Sequence, residues 1–201
     1  VIDLDATAGA FLQGNGSTIS SGSGDITIDA SGDITIASVS TGGDVTANST
    51  GGAIVDGGDT DTDITGNNVS LTGSAIGASG DAISTAATTL TTDTSGSNGD
   101  QFLAESDGLT ALNLNAGSGD ISLSSGGAIA DTDGATDITA TTTSITVTTG
   151  NFGATGAGNA IDTNVTNLNV DSSAGNGSQF ISETDGLDSL NLDAGNGGNP
   201  M

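Results

Sequence analysis

The chain of 201 residues contains no Lys, Arg, His, Cys, Trp or Tyr, a single Pro, and four Phe as its only aromatic side chains. Each absence excludes something. Without a cationic side chain there can be no side-chain salt bridge. Each of the 25 carboxylates must therefore be solvated, be hydrogen-bonded to backbone N–H, or meet a cation from outside. The net charge of -25 opposes the compact state through self-repulsion that ions screen, and it excludes nucleic acid and anionic membrane as electrostatic partners. Without Cys there is no disulfide framework. No apolar run approaches the roughly 20 residues of a membrane span. General acid–base or nucleophilic chemistry near neutrality lacks His, Cys, Lys and Tyr, and no Arg is present to hold an anionic transition state.

What is present is a small-residue alphabet: 34 Gly, with Ser, Thr, Asn, Asp and Ala making up most of the rest. High net charge with few large apolar residues is a composition of disordered chains. Two features argue for order. The Ile, Leu and Val residues fall in alternating triplets, such as Ile26-Thr27-Ile28 and Leu112-Asn113-Leu114. There is also a long internal repeat: Gln101–Asp120, QFLAESDGLTALNLNAGSGD, returns 78 residues on as QFISETDGLDSLNLDAGNGG, with twelve of twenty positions identical. Its apolar positions are kept while its polar ones drift, as a buried face requires.

Phe11, Phe102 and Phe180 occupy equivalent places. The chain divides accordingly into the end of one repeat (1–10), a repeat (11–101), a second (102–179) and a partial third (180–201). The offset between copies falls from 95 at Gly22/Gly117 to 75 at Gly51/Gly126, so the first copy carries 20 extra residues. They lie among three echoes beginning Gly24-Asp25-Ile26, Gly32-Asp33-Ile34 and Gly43-Asp44-Val45. An insertion that leaves both flanks in register is one added structural turn.

Alternating apolar triplets bounded by Gly, Asn or Asp predict short strands and tight turns, and no window shows a helical period. Gly and Asn at the breaks are expected to supply positive φ. Such strands carry too few large side chains for a two-sheet core. A coil stacked on itself needs only a small apolar set per turn, because the next turn covers its edge about 4.8 Å away. The expected fold is all-β, a single parallel β-solenoid of roughly eight to ten short coils, about 40 to 50 Å long, with open, uncapped ends. An antiparallel sandwich gives no account of the 20-residue insertion.

The units QFLAESDGLTALNLNAGSGDISL, GGAIADTDGATDIT and GNAIDTNVTNLNV resemble the degenerate repeats of very large bacterial surface proteins, the filamentous-haemagglutinin-like and related giant adhesin-like proteins. The resemblance covers nearly the whole chain. It implies a right-handed β-helix, an extracellular or cell-surface location, and a non-catalytic role as a shaft. With no cap visible at Val1 or Met201, the expected partners are flanking repeats of a longer chain or other copies stacked head to tail into a filament.

Three motifs invite more specific chemistry. The loop Asp131-Thr132-Asp133-Gly134-Ala135-Thr136-Asp137, with Asp59, Asp61 and Asp63 in the first copy, has alternate carboxylates before a Gly turn, the kind of oxygen set a calcium ion takes. No bidentate Glu follows at the EF-hand position, and the plain alternative is a solvated turn whose side chains cap backbone N–H groups. Glu105 and Glu183, the only two Glu, sit in Glu-[Ser/Thr]-Asp-Gly-Leu. A carboxylate pair of this kind can serve glycoside hydrolysis in a β-helix enzyme acting on polysaccharide. A turn with Asp-Gly at its tip explains it equally, and the first copy replaces it with Gln13-Gly14-Asn15-Gly16. The Thr-rich runs 85–94 and 139–149 suggest an ice-binding face, but their spacing is irregular. An adhesin module binding carbohydrate or a partner cell surface is the alternative to the shaft, and it lacks aromatic sugar-stacking residues.

Overall fold

A computed structural model describes residues 1–58, 60–156 and 158–196. Its described strands pair only in parallel, each with the strand one coil further along the chain. One isolated antiparallel bridge, Ala78 to Asp81, closes a tight corner, and the only described helix is a single 3-10 turn, Ser173–Gly175. The coil step ranges from 19 residues (Ile26 to Val45) to 25 (Ile138 to Thr163). The chain is thus the parallel β-solenoid expected from its sequence, with about nine turns. At roughly 4.8 Å per turn the stack is about 43 Å long.

Strand alternation builds the interior. In Ile26–Ala30 and Val45–Ser49 every second residue is buried, because successive side chains point to opposite sides of a strand. Residues at the same height then stack into columns. One runs through Leu4, Ile28, Ala47, Leu71, Thr92, Leu114, Ile138 and Thr163. β-Branched and small residues suit these positions, since each needs only to cover the residue one coil below. Inward Thr fits where Val would, provided its hydroxyl has a partner: Thr92 Oγ1 donates to Gln101 Oε1, and Gln101 Nε2 donates to Thr94 Oγ1 and to the Asn115 carbonyl.

The segment with the extra residues stacks as a complete coil. Ile19–Ser21 pairs with Val39–Thr41, Ile26–Ala30 with Val45–Ser49, and Ile34–Ile36 with Ile54–Asp56, at steps of 20, 19 and 20 residues. The 78-residue repeat, by contrast, is not a whole number of coils. Thr85 belongs to the column of Ile64, Glu105, Ser125 and Val147, whereas its equivalent Thr163 belongs to that of Leu71, Leu114 and Ile138. One repeat therefore advances three coils and one further side.

Acidic residues splice adjacent coils. The Asp of each Gly-Asp-apolar echo accepts a backbone N–H from the next coil: Asp25 from Asp44 at 3.1 Å, Asp44 from Asn68 at 3.1 Å, Asp33 from Ala53 at 2.9 Å, and Asp120 from Thr142 at 3.0 Å. Asn98 and Asn176, both with left-handed φ (53° and 51°), do the same for Ser118 and Asn196. Charge-assisted acceptance of this kind gives many carboxylates a place without any cation.

Candidate functional site

The two Asp-rich loops occupy the same place in the two copies, after the Gly-Gly-Ala-Ile corners at Ile54 and Ile129. In the second copy the Asp131 carboxylate turns back into its own loop and accepts N–H groups from Asp133 and Gly134, both at 3.2 Å. Asp133 stays exposed and accepts from Ala135 N–H at 2.6 Å. The loop returns to the stack at Asp137, whose Oδ2 accepts the N–H of Asp162 from the next coil at 2.7 Å. Asp131 and Asp137 are each only 4% exposed, and carboxylate oxygens of Asp131, Asp137 and Asp162 lie within 4.8 Å of one another. Burial, reinforced by the charges of Asp131, Asp162 and Asp133, pushes the Asp137 carboxyl up to about 7.

The first copy reaches a similar arrangement with different residues. Asp63 is 1% exposed, and its Oδ2 accepts from Ser84 N–H at 2.7 Å and from the Ser84 hydroxyl at 2.8 Å. Its other oxygen, Oδ1, is sealed from solvent and has no hydrogen-bond partner. Burial first, and then the adjacent Asp56 carboxylate, pushes Asp63 up to about 7 against the Ser84 hydrogen bonds. Asp56 raises exposed Asp81 as well, so its carboxylate touches both neighbours. A shallow cavity of about 200 Å³, lined by Asp56, Thr60, Asp61, Asp81 and Ser84, opens this group to solvent.

Of the residues singled out by their spacing, the structure joins Asp131 to Asp137 and leaves Asp133 at the rim. In the first copy Asp63 is at the centre, Asp61 lines the cavity, and Asp59 lies outside the described residues. The loop spacing missed the third carboxylate of each group, Asp81 or Asp162, which arrives from the next coil. A signal for it was present. The corner Asp81-Ala82-Ile83-Ser84 of the first copy is Asn159-Ala160-Ile161-Asp162 in the second. The carboxylate moves three positions, and each copy keeps three in the group. A further acidic group, Asp3, Asp5 and Asp29, lies at the surface of the first coils.

The Glu of Glu-[Ser/Thr]-Asp-Gly-Leu has a structural role that its turn motif concealed. Glu105 points inward, 3% exposed, and receives the Thr85 hydroxyl at 2.6 Å and the N–H groups of Ala87 and Asp107. Glu183 receives the Thr163 hydroxyl at the same 2.6 Å. The two Glu sit 78 residues apart in different columns, so each forms a separate clasp between coils. Comparison of the chain with protein families, with curated proteins and with solved structures returns no match.

Proposed function

We propose that this solenoid is a non-catalytic structural element, an extracellular or cell-surface shaft of the kind its repeats resemble, extended by further repeats or by copies stacked head to tail. The observation that carries this reading is the uninterrupted parallel ladder from Ile2–Ala6 to Ser189–Asp193. Its interior is filled by side chains one coil deep. Leu190 and Leu192 stand over Leu168 and Val170 and are 55% and 46% exposed, so one more coil would bury them as the interior columns are buried elsewhere.

Electron microscopy at micromolar protein tests it. Fibres of uniform width, or single rods about 43 Å long, are expected. Particles without an elongated axis would overturn the shaft. Release of sugar from a polysaccharide, abolished by Glu105→Gln or Glu183→Gln, would replace it with a β-helix enzyme.

A further inference from the structure

The two acidic groups pose a problem that the chain cannot solve alone. Asp56 touches Asp63 and Asp81, and Asp137 faces Asp131 and Asp162, yet there is no Lys, Arg or His to neutralise them. A shared proton answers for two carboxylates. It does not account for a third, which both copies retain even though its position in the sequence moves from Asp81 to Asp162. Nor does it use Asp63 Oδ1, a fully buried acceptor with no donor, beside a cavity with a carboxylate-lined mouth. A buried acceptor left unpaired is costly, and a cation satisfies it.

We propose that each copy binds one calcium ion, held by Asp56, Asp63 and Asp81 in the first and by Asp131, Asp137 and Asp162 in the second. The donor set is all oxygen, which selects a hard cation over zinc or copper. Oxygens on one calcium at 2.3 to 2.6 Å stand up to about 5 Å apart, which accommodates the 4.8 Å limit within which the second group lies. Calcium accepts irregular shells completed by water and backbone carbonyls, whereas magnesium demands a near-ideal octahedron that two loops of different sequence are poorly suited to provide. Each ion ties a loop to the coil that follows it, independently of whether the rod is a shaft.

Isothermal titration of the 201-residue chain with calcium chloride, at a salt concentration that screens the diffuse charge, decides the matter. Two ions per chain are expected. Asp63→Asn and Asp81→Asn should each remove one, and Asp137→Asn should remove the other. Asp5→Asn, which deletes an equal charge from the exposed group at the first coils, should leave two. Circular dichroism verifies that each variant is folded. Should Asp63→Asn unfold, Asp81→Asn, altered only at the surface, still reads the first site. No saturable uptake, or the same stoichiometry in the Asp63, Asp81 and Asp137 variants, would overturn the proposal and leave these carboxyls as proton-sharing groups.

Discussion

Glu105 and Glu183 are the same residue in the same motif, each clasped by a Thr hydroxyl at 2.6 Å from twenty residues earlier, yet they carry opposite electrostatics. Burial is the largest influence on both and pushes both upward. At Glu105 it wins, helped by the Asp107 side chain, and the carboxyl rises to about 7. At Glu183 the hydrogen bonds from Thr163, Asp185 and the Val165 backbone together outweigh it, and the carboxyl ends below its ordinary value. The difference is the roof. Glu105 lies beneath Ile121–Ser125 of the next coil, whereas among the described residues no strand pairs above Glu183. One more coil is enough to turn a solvated, charged clasp into a buried one that favours its neutral form.

The comparison can be broken most violently at the roof itself. A Cβ on Gly127 would stand 1.6 Å from the Asp107 carbonyl, so Gly127→Ala must lift one coil from the other. A loss of about 3 kcal/mol or more is expected in urea unfolding. Gly14→Ala meets nothing within 4 Å and should stay within about 0.5 kcal/mol of the parent. Next in size is the clasp. Glu105→Ala strands the Thr85 hydroxyl and the Ala87 N–H in the interior and should cost about 2 to 3 kcal/mol, against less than about 1 for Glu183→Ala, where water replaces the lost acceptor.

A smaller effect is the pH dependence. Because the folded-state pKa of Glu105 lies above its unfolded value of 4.5, the folded chain holds the extra proton between those values. Its contribution is fully present below pH 4.5 and is lost as pH rises through about 7. In chelator, the thermal midpoint should therefore fall across that window. Glu105→Gln should flatten the fall, and Glu183→Gln should leave it in place. The gentlest test perturbs nothing. Because the chain has only two Glu, selective carbon-13 labelling gives two carboxyl resonances. One should titrate near 7 and the other below the ordinary carboxylate value. Two coincident titrations would remove the distinction.

The architecture was legible because its signal is local and repeated. Ile26-Thr27-Ile28 names a strand and its inner face, and the change of offset between Gly22/Gly117 and Gly51/Gly126 names an added coil. What escaped depends on the register between coils. Asp25 looks like a turn residue until Asp44 is known to lie directly over it. The third carboxylates stayed hidden because Asp162 meets Asp137 across 25 residues. Glu105 was concealed by a genuine turn, closed at Asp107 N–H, whose local sequence says nothing about whether the Glu faces in or out. The glycines were legible as corners but only partly for the right reason. Gly117 and Gly153 do have positive φ, whereas Gly52 and Gly127 are needed because the backbone of the previous coil comes too close for any Cβ.

Three coils and one side per repeat means that equivalent motifs precess around the axis instead of forming a stripe along it. The corner that begins at Ile54 and the one that begins at Ile129 end in different columns, at Ile64 and Ile138. A rod with one face repeated along its whole length offers its neighbours a continuous rail on which to pack sideways into sheets. A rod that turns its pattern by one side at each repeat offers no such rail, so contact between parallel rods cannot stay in phase for long. The surviving mode of growth is along the axis, where every coil fits the next.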